Sequence, residues 1–369
     1  MQVLTDEQAM RIAIQEAYKG LGFVSPNPLV GCVILDEKNR FLSKGYHARF
    51  GEAHAEVNAL KNLSYENLEG AKVFVTLEPC AHEGKTPSCA KALAKLPISE
   101  VIYGLVDPNP LVGGQGADII RSAGIQVRPF LGLQAELEQV CEHFLWNFRQ
   151  KKVFVSAKVA SSLDGQLALK SGESKWITDE VSREISHVLR AAHDAILVGA
   201  GTLLMDNPSL DVRVDPFQNK KLKVIILDSD ALCLAQAHQS KLAQTHDPQN
   251  VFFVISDQIS NPPNTWGAQV IRLPAKGLGL DLDVLLSKLW ELEIRSLFVE
   301  GGAHVLSSFI NEKRVQRLYL FQAPLILGAK SGKAWTEQVS ISSMGGRISL
   351  RNQQYISLAQ DLMITGNLN

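Results

Sequence analysis

Cysteine is scarce: five in 369 residues, an odd number and a poor basis for a disulfide framework. No stretch approaches the ~18 consecutive apolar residues of a membrane span, and the acidic start Met1-Gln2-Val3-Leu4-Thr5-Asp6-Glu7 lacks the apolar region of a signal peptide. Lysine and arginine never run longer than a pair, and the formal net charge is -1 with a pI near 6.8. The basic footprint of non-specific nucleic-acid binding is therefore missing. A Rossmann-type Gly-x-Gly-x-x-Gly and a clear internal repeat are also absent. These absences point to a cytoplasmic protein with neither membrane nor nucleic acid as partner. What is present is 46% hydrophobic content, ample for sizeable cores, in a length that predicts two or three folded domains. Cys32, Cys141 and Cys233 read as buried thiols, in keeping with a reducing compartment.

The densest chemistry lies between His54 and Cys89. His54-Ala55-Glu56 is followed, after a predicted helix and strand, by Glu78-Pro79-Cys80 and a loop that ends at Cys89. Catalytic zinc takes three protein ligands from imidazole and thiolate and keeps its fourth position open. His54, Cys80 and Cys89 would supply those three, and Glu56 stands where a proton shuttle is needed. Residues two apart point roughly 200° away from each other on a helix, so His54 and Glu56 share a pocket only at a helix start; Ala55 to Leu63 is the predicted helix. Lys72 to Leu77 alternates and is β-branched, a strand signal. Cys80 then leaves a strand end, and Ala90 to Leu96 forms the next helix. A structural zinc knuckle is the blander alternative.

The His-x-Glu, Pro-Cys and second Cys resemble the zinc-dependent nucleobase and nucleotide deaminases. Their usual spacing has two residues between the cysteines, whereas eight intervene here, residues 81 to 88. That longer loop, Ser25-Pro26-Asn27-Pro28-Leu29-Val30-Gly31 upstream and Asp107-Pro108-Asn109-Pro110 downstream are similar to the riboflavin-pathway deaminases. The resemblance implies one zinc ion per chain on His54, Cys80 and Cys89, Glu56 as the catalytic proton carrier, and Asn27, His47, His82 and Lys85 as substrate contacts. Lys85 suits a phosphate.

Around this motif the patterns predict a helix capped by Thr5 and running to about Tyr18. A hairpin follows over Val30–Leu35 and Phe41–Tyr46. Further on come a strand over Glu100–Val106, a short helix over Gly116–Ala123, an edge strand at Ile125–Val127 and one long helix over Leu133–Phe148. Alternating β and α elements predict three layers, α/β/α. A composition shift at residues 147–152 marks the boundary between domains at 1–148 and 152–369.

The second half opens with a strand over Val153–Val159 that leads into Ser162-Leu163-Asp164-Gly165. Next come Gly172-Glu173-Ser174-Lys175-Trp176-Ile177-Thr178 and a helix over Asp179–Ala192 capped by Thr178. A strand over Ala195–Val198 meets Gly199-Ala200-Gly201-Thr202, followed by the run Asp206 to Arg213. Further strands are predicted at Lys223–Leu227, Val251–Ile255, Gln269–Leu273, Ser296–Val299 and Arg317–Phe321, with a polar, variable excursion over 230–250. Glu300-Gly301-Gly302-Ala303-His304 sits between a strand and a helix, where glycines let backbone N–H groups approach a phosphate. Alone this is also a plain strand-to-helix turn.

In this order the segments resemble the pyrimidine reductases of riboflavin biosynthesis, which have a dihydrofolate-reductase-like α/β fold and use NADPH. The whole chain is thus similar to the bifunctional deaminase-reductases of that pathway: a cytidine-deaminase-like domain followed by a dihydrofolate-reductase-like one. The resemblance implies phosphoribosylaminopyrimidine substrates and a homo-oligomer. It places cofactor along Ala160, Trp176, Thr202, Asp206 and Ser229, with pyrophosphate at Gly302, Ala303, His304, Val305, Leu306, Ser307 and Ser308. Substrate would meet Ser174, Arg190, Leu210, Arg213 and Glu300, the two arginines being suited to a phosphate. Simpler readings stand beside these: Arg190 as a solvated residue near a helix C-terminus, Trp176 as core, and Asp206 as a turn residue. The rivals for the whole are a nucleic-acid-editing deaminase and a non-catalytic zinc scaffold.

Overall fold

A computed structural model describes residues 3–83, 87–109, 113–173, 177–260, 262–263, 266–276 and 279–368. The chain divides into two compact units, Met1–Lys151 and Lys152–Asn369. Among the described residues no helix is long and apolar enough to cross a membrane.

The first unit contains α1 (Asp6–Ala17), β1 (Gly31–Leu35), β2 (Phe41–Tyr46), α2 (Ala55–Leu60), β3 (Lys72–Leu77), α3 (Cys89–Leu93), β4 (Glu100–Leu105), α4 (Gln115–Ser122), β5 (Gln126–Pro129), α5 (Gln134–Val140) and α6 (Glu142–Gln150). Thr5 caps α1 in a capping box: its hydroxyl accepts from Gln8 N, and the Gln8 side chain accepts from Thr5 N. The sheet order is β2-β1-β3-β4-β5. β1 is antiparallel to both β2 and β3, and the remaining pairs are parallel.

Both faces of this sheet are apolar, because alternate residues of each strand are buried on opposite sides. Val33, Leu35, Phe74 and Ile102 pack with Ala9, Met10 and Ala13 of α1 and with Leu137 and Leu145 of α5 and α6. Ile34, Val73, Val75 and Val101 pack with Ala55 and Ala59 of α2, Ala90 and Leu93 of α3, and Ile120 of α4. The result is the expected three layers.

The long helix predicted over 133–148 is in fact two. Cys141 joins them at φ -105° and ψ 10°, and its thiol donates to Leu29 O at 3.4 Å. The break keeps Leu137, Val140, Cys141 and Leu145 in the core, while Phe144 and Phe148, four residues apart, reach a cavity wall.

The second unit contains β6 (Phe154–Ser162), β7 (Gln166–Leu169), α7 (Glu180–Ala191), β8 (Ala195–Gly199), α8 (Ala200–Asp206), β9 (Lys223–Leu227), α9 (Lys241–Thr245), β10 (Val251–Ser256), β11 (Gln269–Leu273), β12 (Ala275–Lys276), β13 (Gly279–Leu280), α10 (Leu282–Glu291), β14 (Ser296–Val299), α11 (Ala303–Asn311), β15 (Arg317–Ala323), β16 (Gly332–Ala334), β17 (Leu350–Leu358) and β18 (Asp361–Leu368). Nine strands form one sheet in the order β11-β10-β9-β8-β14-β6-β15-β18-β17. It is parallel from β11 to β15, and β18 and β17 close it antiparallel. Covered on both faces, its inner strands are near-continuous apolar runs, such as Ala195–Gly199, buried throughout.

One expectation changes and two segments gain structure that the sequence did not assign. The cap of α7 is Asp179, whose carboxylate accepts from Ser182 N at 2.8 Å; Thr178 lies one residue outside the helix. The excursion over 230–250 is built of short helical turns that bury Leu234, Ala237 and Leu242. The β17–β18 hairpin carried no sequence signal, because β17 is almost wholly exposed and needs no apolar alternation.

Gly31 marks where sheet and helix approach most closely: a Cβ there would lie 1.9 Å from Ala13 O and 2.7 Å from Ala17 N. Both are backbone atoms of α1, so the helix itself would have to move. Gly31→Ala is expected to destabilise the first unit by about 1–3 kcal/mol in urea unfolding. Gly201→Ala, whose Cβ would meet nothing within 4 Å, is expected to stay within about 0.5 kcal/mol of the parent.

Candidate active sites

In the first unit β3 delivers Cys80 just beyond its carboxyl end, while His54 is the N-cap of α2 and Cys89 opens α3. His54 Nδ1 lies 3.5 Å from Cys80 Sγ and 3.3 Å from Cys89 Sγ, and the three ligand atoms fall within 4.8 Å of one another. Tetrahedral zinc, with Zn–S of about 2.3 Å and Zn–N of 2.0–2.1 Å, needs a sulfur-to-nitrogen edge of about 3.5 Å. The donor set fits that ion. Hydrogen bonding from the Cys89 thiol, and then from His54, outweighs burial and brings the Cys80 thiol down to about 4. Cys80 and burial push the Cys89 thiol up. Cys89 N also donates to Cys80 Sγ at 3.3 Å, a helix N-terminus directed at a thiolate.

His54 and Cys80 form part of the wall of a cavity of about 380 Å³, with Cys89 buried behind them. Glu56, 4% exposed, lines it, and burial pushes its carboxyl up. Asn27 Nδ2 donates to His47 Nε2 at 3.1 Å, and His47 Nδ1 donates to Ala53 O at 3.1 Å. The carbonyl can only accept, so His47 is the Nδ1–H tautomer, and burial lowers its pKa. His82 is exposed at the rim. Lys85 lies outside the described residues.

Glu78, of the Glu-Pro-Cys run, was not singled out by sequence. It is buried, and its carboxylate accepts from Asp107 N (3.3 Å), Gly114 N (2.9 Å) and Ala117 N (3.2 Å). It thereby holds the start of α4 and the loop bearing Asp107 and Asn109, both of which line the cavity.

In the second unit the carboxyl ends of β6, β8 and β14 meet where the strand order reverses, the usual place for a ligand in an open parallel sheet. A cavity of about 560 Å³ opens there, lined by Ala160, Thr202, Asp206, Glu300, Gly302, Ala303, His304 and Val305 among others. Gly302 is the N-cap of α11, and a Cβ on it would meet nothing within 4 Å. The first-turn N–H groups of α11 therefore sit at an open, anion-favouring helix start. Leu306 N is already used, donating to Gly302 O at 3.1 Å.

Residues 4–105 match the family model of the cytidine and deoxycytidylate deaminase zinc-binding region, and residues 153–364 match that of the RibD C-terminal domain. The riboflavin biosynthesis protein RibD of Aquifex aeolicus is 36% identical over 366 residues, 97% of each chain. The chain belongs to the RibD family. Acinetobacter baumannii RibD (form 1) is similar at a TM-score of 0.81, with 32% identity and 99% of both chains covered. The Thermotoga maritima diaminohydroxyphosphoribosylaminopyrimidine deaminase/5-amino-6-(5-phosphoribosylamino)uracil reductase is similar at 0.82, with 31% identity and 98% of both chains covered. As a member of that family, the chain is a bifunctional riboflavin-biosynthesis enzyme with a zinc-binding deaminase domain and a reductase domain.

Other residues expected to act in the RibD reductase domain stand as follows. Glu300 accepts from Arg190 Nε at 2.9 Å and lies 3.7 Å from Lys158 Nζ; Lys158, not singled out by sequence, also lines the cavity. Arg190 donates further to Asp211 O. Arg213 donates to Ser209 Oγ at 2.6 Å and Asp211 Oδ1 at 2.9 Å, and Leu210 between them is buried with φ +55°. Leu306 and Ser307 are buried in α11, Ser308 donates to His304 O, and Ser229 follows β9, its carbonyl taken by Ser256 N. Neither these four nor Arg190, Leu210 and Arg213 line the cavity as described, whereas Glu300 does. Ser174 and Trp176 lie outside the described residues. Asp164, of the Ser-Leu-Asp-Gly run, is a tie: it accepts from Ser162 Oγ, Leu327 N and Gly328 N.

Two measurements check these sites. Cys89→Ser is expected to lower zinc per chain, read by elemental analysis after gel filtration, well below the parent value, because one of three ligands is weakened. Burial raises the Glu300 carboxyl, but Arg190 and Lys158 outweigh it and hold it at about 2. A carboxyl depressed in the folded state stabilises fully above its ordinary pKa near 4.5 and loses that contribution as pH falls towards 2. The stability gap between parent and Glu300→Gln in urea unfolding is therefore expected to be widest at pH 6–7. It should shrink below about pH 4.5, by up to about 3 kcal/mol.

Proposed function

We propose that this chain carries out two consecutive steps: deamination of 2,5-diamino-6-(5-phosphoribosylamino)pyrimidin-4-one, then NADPH-dependent reduction of the ribosyl chain of 5-amino-6-(5-phosphoribosylamino)uracil to ribityl. The observation that carries it is the pairing, in one chain, of a His54-Cys80-Cys89 cluster beside a buried Glu56 with a strand-end cavity at the open start of α11. The Thermotoga maritima relative's two named activities agree with it.

In the first site His54, Cys80 and Cys89 would hold the metal. Zinc there supplies a Lewis acid that makes water nucleophilic at neutral pH. Glu56 receives the proton of the attacking water and passes it to the departing amine. The C–O bond forms first, by addition to the ring carbon; the amine, protonated through Glu56, then leaves as ammonia when the C–N bond breaks. Asn27, fixed by His47, orients the pyrimidine edge, with His82 and Lys85 at the rim. The domain spans residues 1–148.

In the second domain, residues 152–369, the dinucleotide supplies hydride for C1 of the open-chain ribose. Gly302 to Val305 receive the pyrophosphate at the α11 start, with Leu306, Ser307 and Ser308 behind them in the helix, and Ala160, Trp176, Thr202 and Asp206 contact the remainder, with Ser229 beyond the cavity wall. Ser174, Leu210 and Glu300 meet the substrate, whose phosphate falls to Arg190 and Arg213, since guanidinium binds phosphate bidentately. All five cysteines are free thiols, which supports a cytoplasmic enzyme; we expect it to be a homo-oligomer.

The test follows ammonia release and NADPH oxidation in one reaction on the zinc-loaded protein. Glu56→Gln is expected to keep its zinc and lose about 10²–10⁴-fold in ammonia release, while still oxidising NADPH when given the deaminated intermediate. A parent enzyme that releases no ammonia from the diaminopyrimidine would overturn the assignment.

A further inference from the structure

The short helix α9, in the segment whose sequence reads as a polar excursion, grips the loop that carries Leu210 and Arg213 from both of its ends. At its start Lys241 N donates to Asn207 Oδ1 at 2.9 Å. At its end His246 Nε2 donates to Ser209 O at 2.8 Å. Thr245 Oγ1 reaches the same carbonyl at 3.0 Å, but its single proton is shared with Lys241 O and Leu242 O, which leaves His246 as the dedicated donor. The gripped residues are strained: Asn207 has φ +42° and Leu210 φ +55°. The left-handed region is tolerable for Asn but costs Leu about 1–2 kcal/mol. Such a conformation persists only where surrounding contacts over-determine it.

The opposite side of the loop is held by α7, where Arg190 donates to Asp211 O and Arg213 N donates to His187 Nδ1 at 3.2 Å. Ser209 is the common joint: its carbonyl faces α9 while its hydroxyl accepts from Arg213. Whatever fixes the Ser209 peptide therefore helps, together with Asp211 Oδ1 and His187 Nε2, to set the direction of the Arg213 guanidinium. We infer that His246 is a positioning residue of the reductase site, holding the 207–213 loop so that Arg213 meets the substrate's phosphate. The inference rests on the proposed assignment of Arg213 to substrate.

The experiment is steady-state kinetics of NADPH oxidation with the phosphorylated aminouracil, on the full chain, with ammonia release as an internal control. His246→Ala is expected to raise KM about tenfold with kcat within twofold, and to leave ammonia release unchanged. His246→Gln, whose side-chain amide can place a donor near the same point, is expected to restore most of the KM. Asn207→Gly keeps the left-handed backbone but removes the acceptor for Lys241 N, and is expected to raise KM in the same direction, giving an independent reading if His246→Ala folds poorly. An unchanged KM in His246→Ala, or a fall in kcat alone that Gln does not rescue, overturns the positioning role while leaving the two-step function standing. Arg213→Ala separates the two claims: if it leaves KM unchanged, the assignment of this loop to substrate fails, and the role of His246 fails with it.

Discussion

A carboxylate taken out of water must be given hydrogen-bond donors, and this chain repeatedly uses that demand to fix its working loops. Glu78 collects three backbone N–H groups and anchors the loop after β4. Asp228, 1% exposed, accepts from Leu232, Cys233 and Leu234 at the end of β9. Asp361, in the last hairpin, accepts from Asp179 N and Ser182 Oγ at the start of α7. Glu300 takes Arg190. Each of these acids follows or opens a strand, so each transfers the rigidity of a sheet to a segment that would otherwise be free to move.

That arrangement explains how both sites reach the precision chemistry requires. Cys80 and Glu300 lie just past the carboxyl ends of β3 and β14. Their partners come from helix starts: His54 and Cys89 from α2 and α3, and the N–H groups of α11. Strand ends are rigid because their neighbours on both sides are hydrogen bonded, and helix starts offer unpaired N–H groups. The first combination gathers thiolates for a cation; the second leaves an open place for an anion.

Much of this was legible along the chain. Thr5, with Asp6 and Glu7 after it, announces α1, and the strands β3, β9 and β11 were located to the residue. The His54-Cys80-Cys89 cluster was legible because it is made of chemically rare residues in a short span. The break at Cys141 was not, since the apolar stripe from Leu137 to Phe148 reads as one helix and only the packing of the Cys141 thiol against Leu29 O ends the first. Nor was the β17–β18 hairpin, whose edge strand has no face to bury. The sequence alone points to Thr178 as the cap of α7; Asp179 fills that place instead, and its N–H donates to Asp361, 182 residues away.

By itself, then, the sequence determined the cluster of His54, Cys80, Cys89 and Glu56, the apolar strand runs that make two sheets, and the charge balance that supplies no basic footprint. These are properties of local residue type and spacing. The tertiary structure decided which polar residues serve as ties and which line a cavity: it turned Asp164 into a loop anchor, brought Lys158 beside Glu300, made Glu78 the keeper of Asp107, and set α9 against the loop of Arg213. Those roles depend on pairings between residues far apart in the chain, and such pairings exist only once loop-closure entropy has been overcome and the sheets have formed.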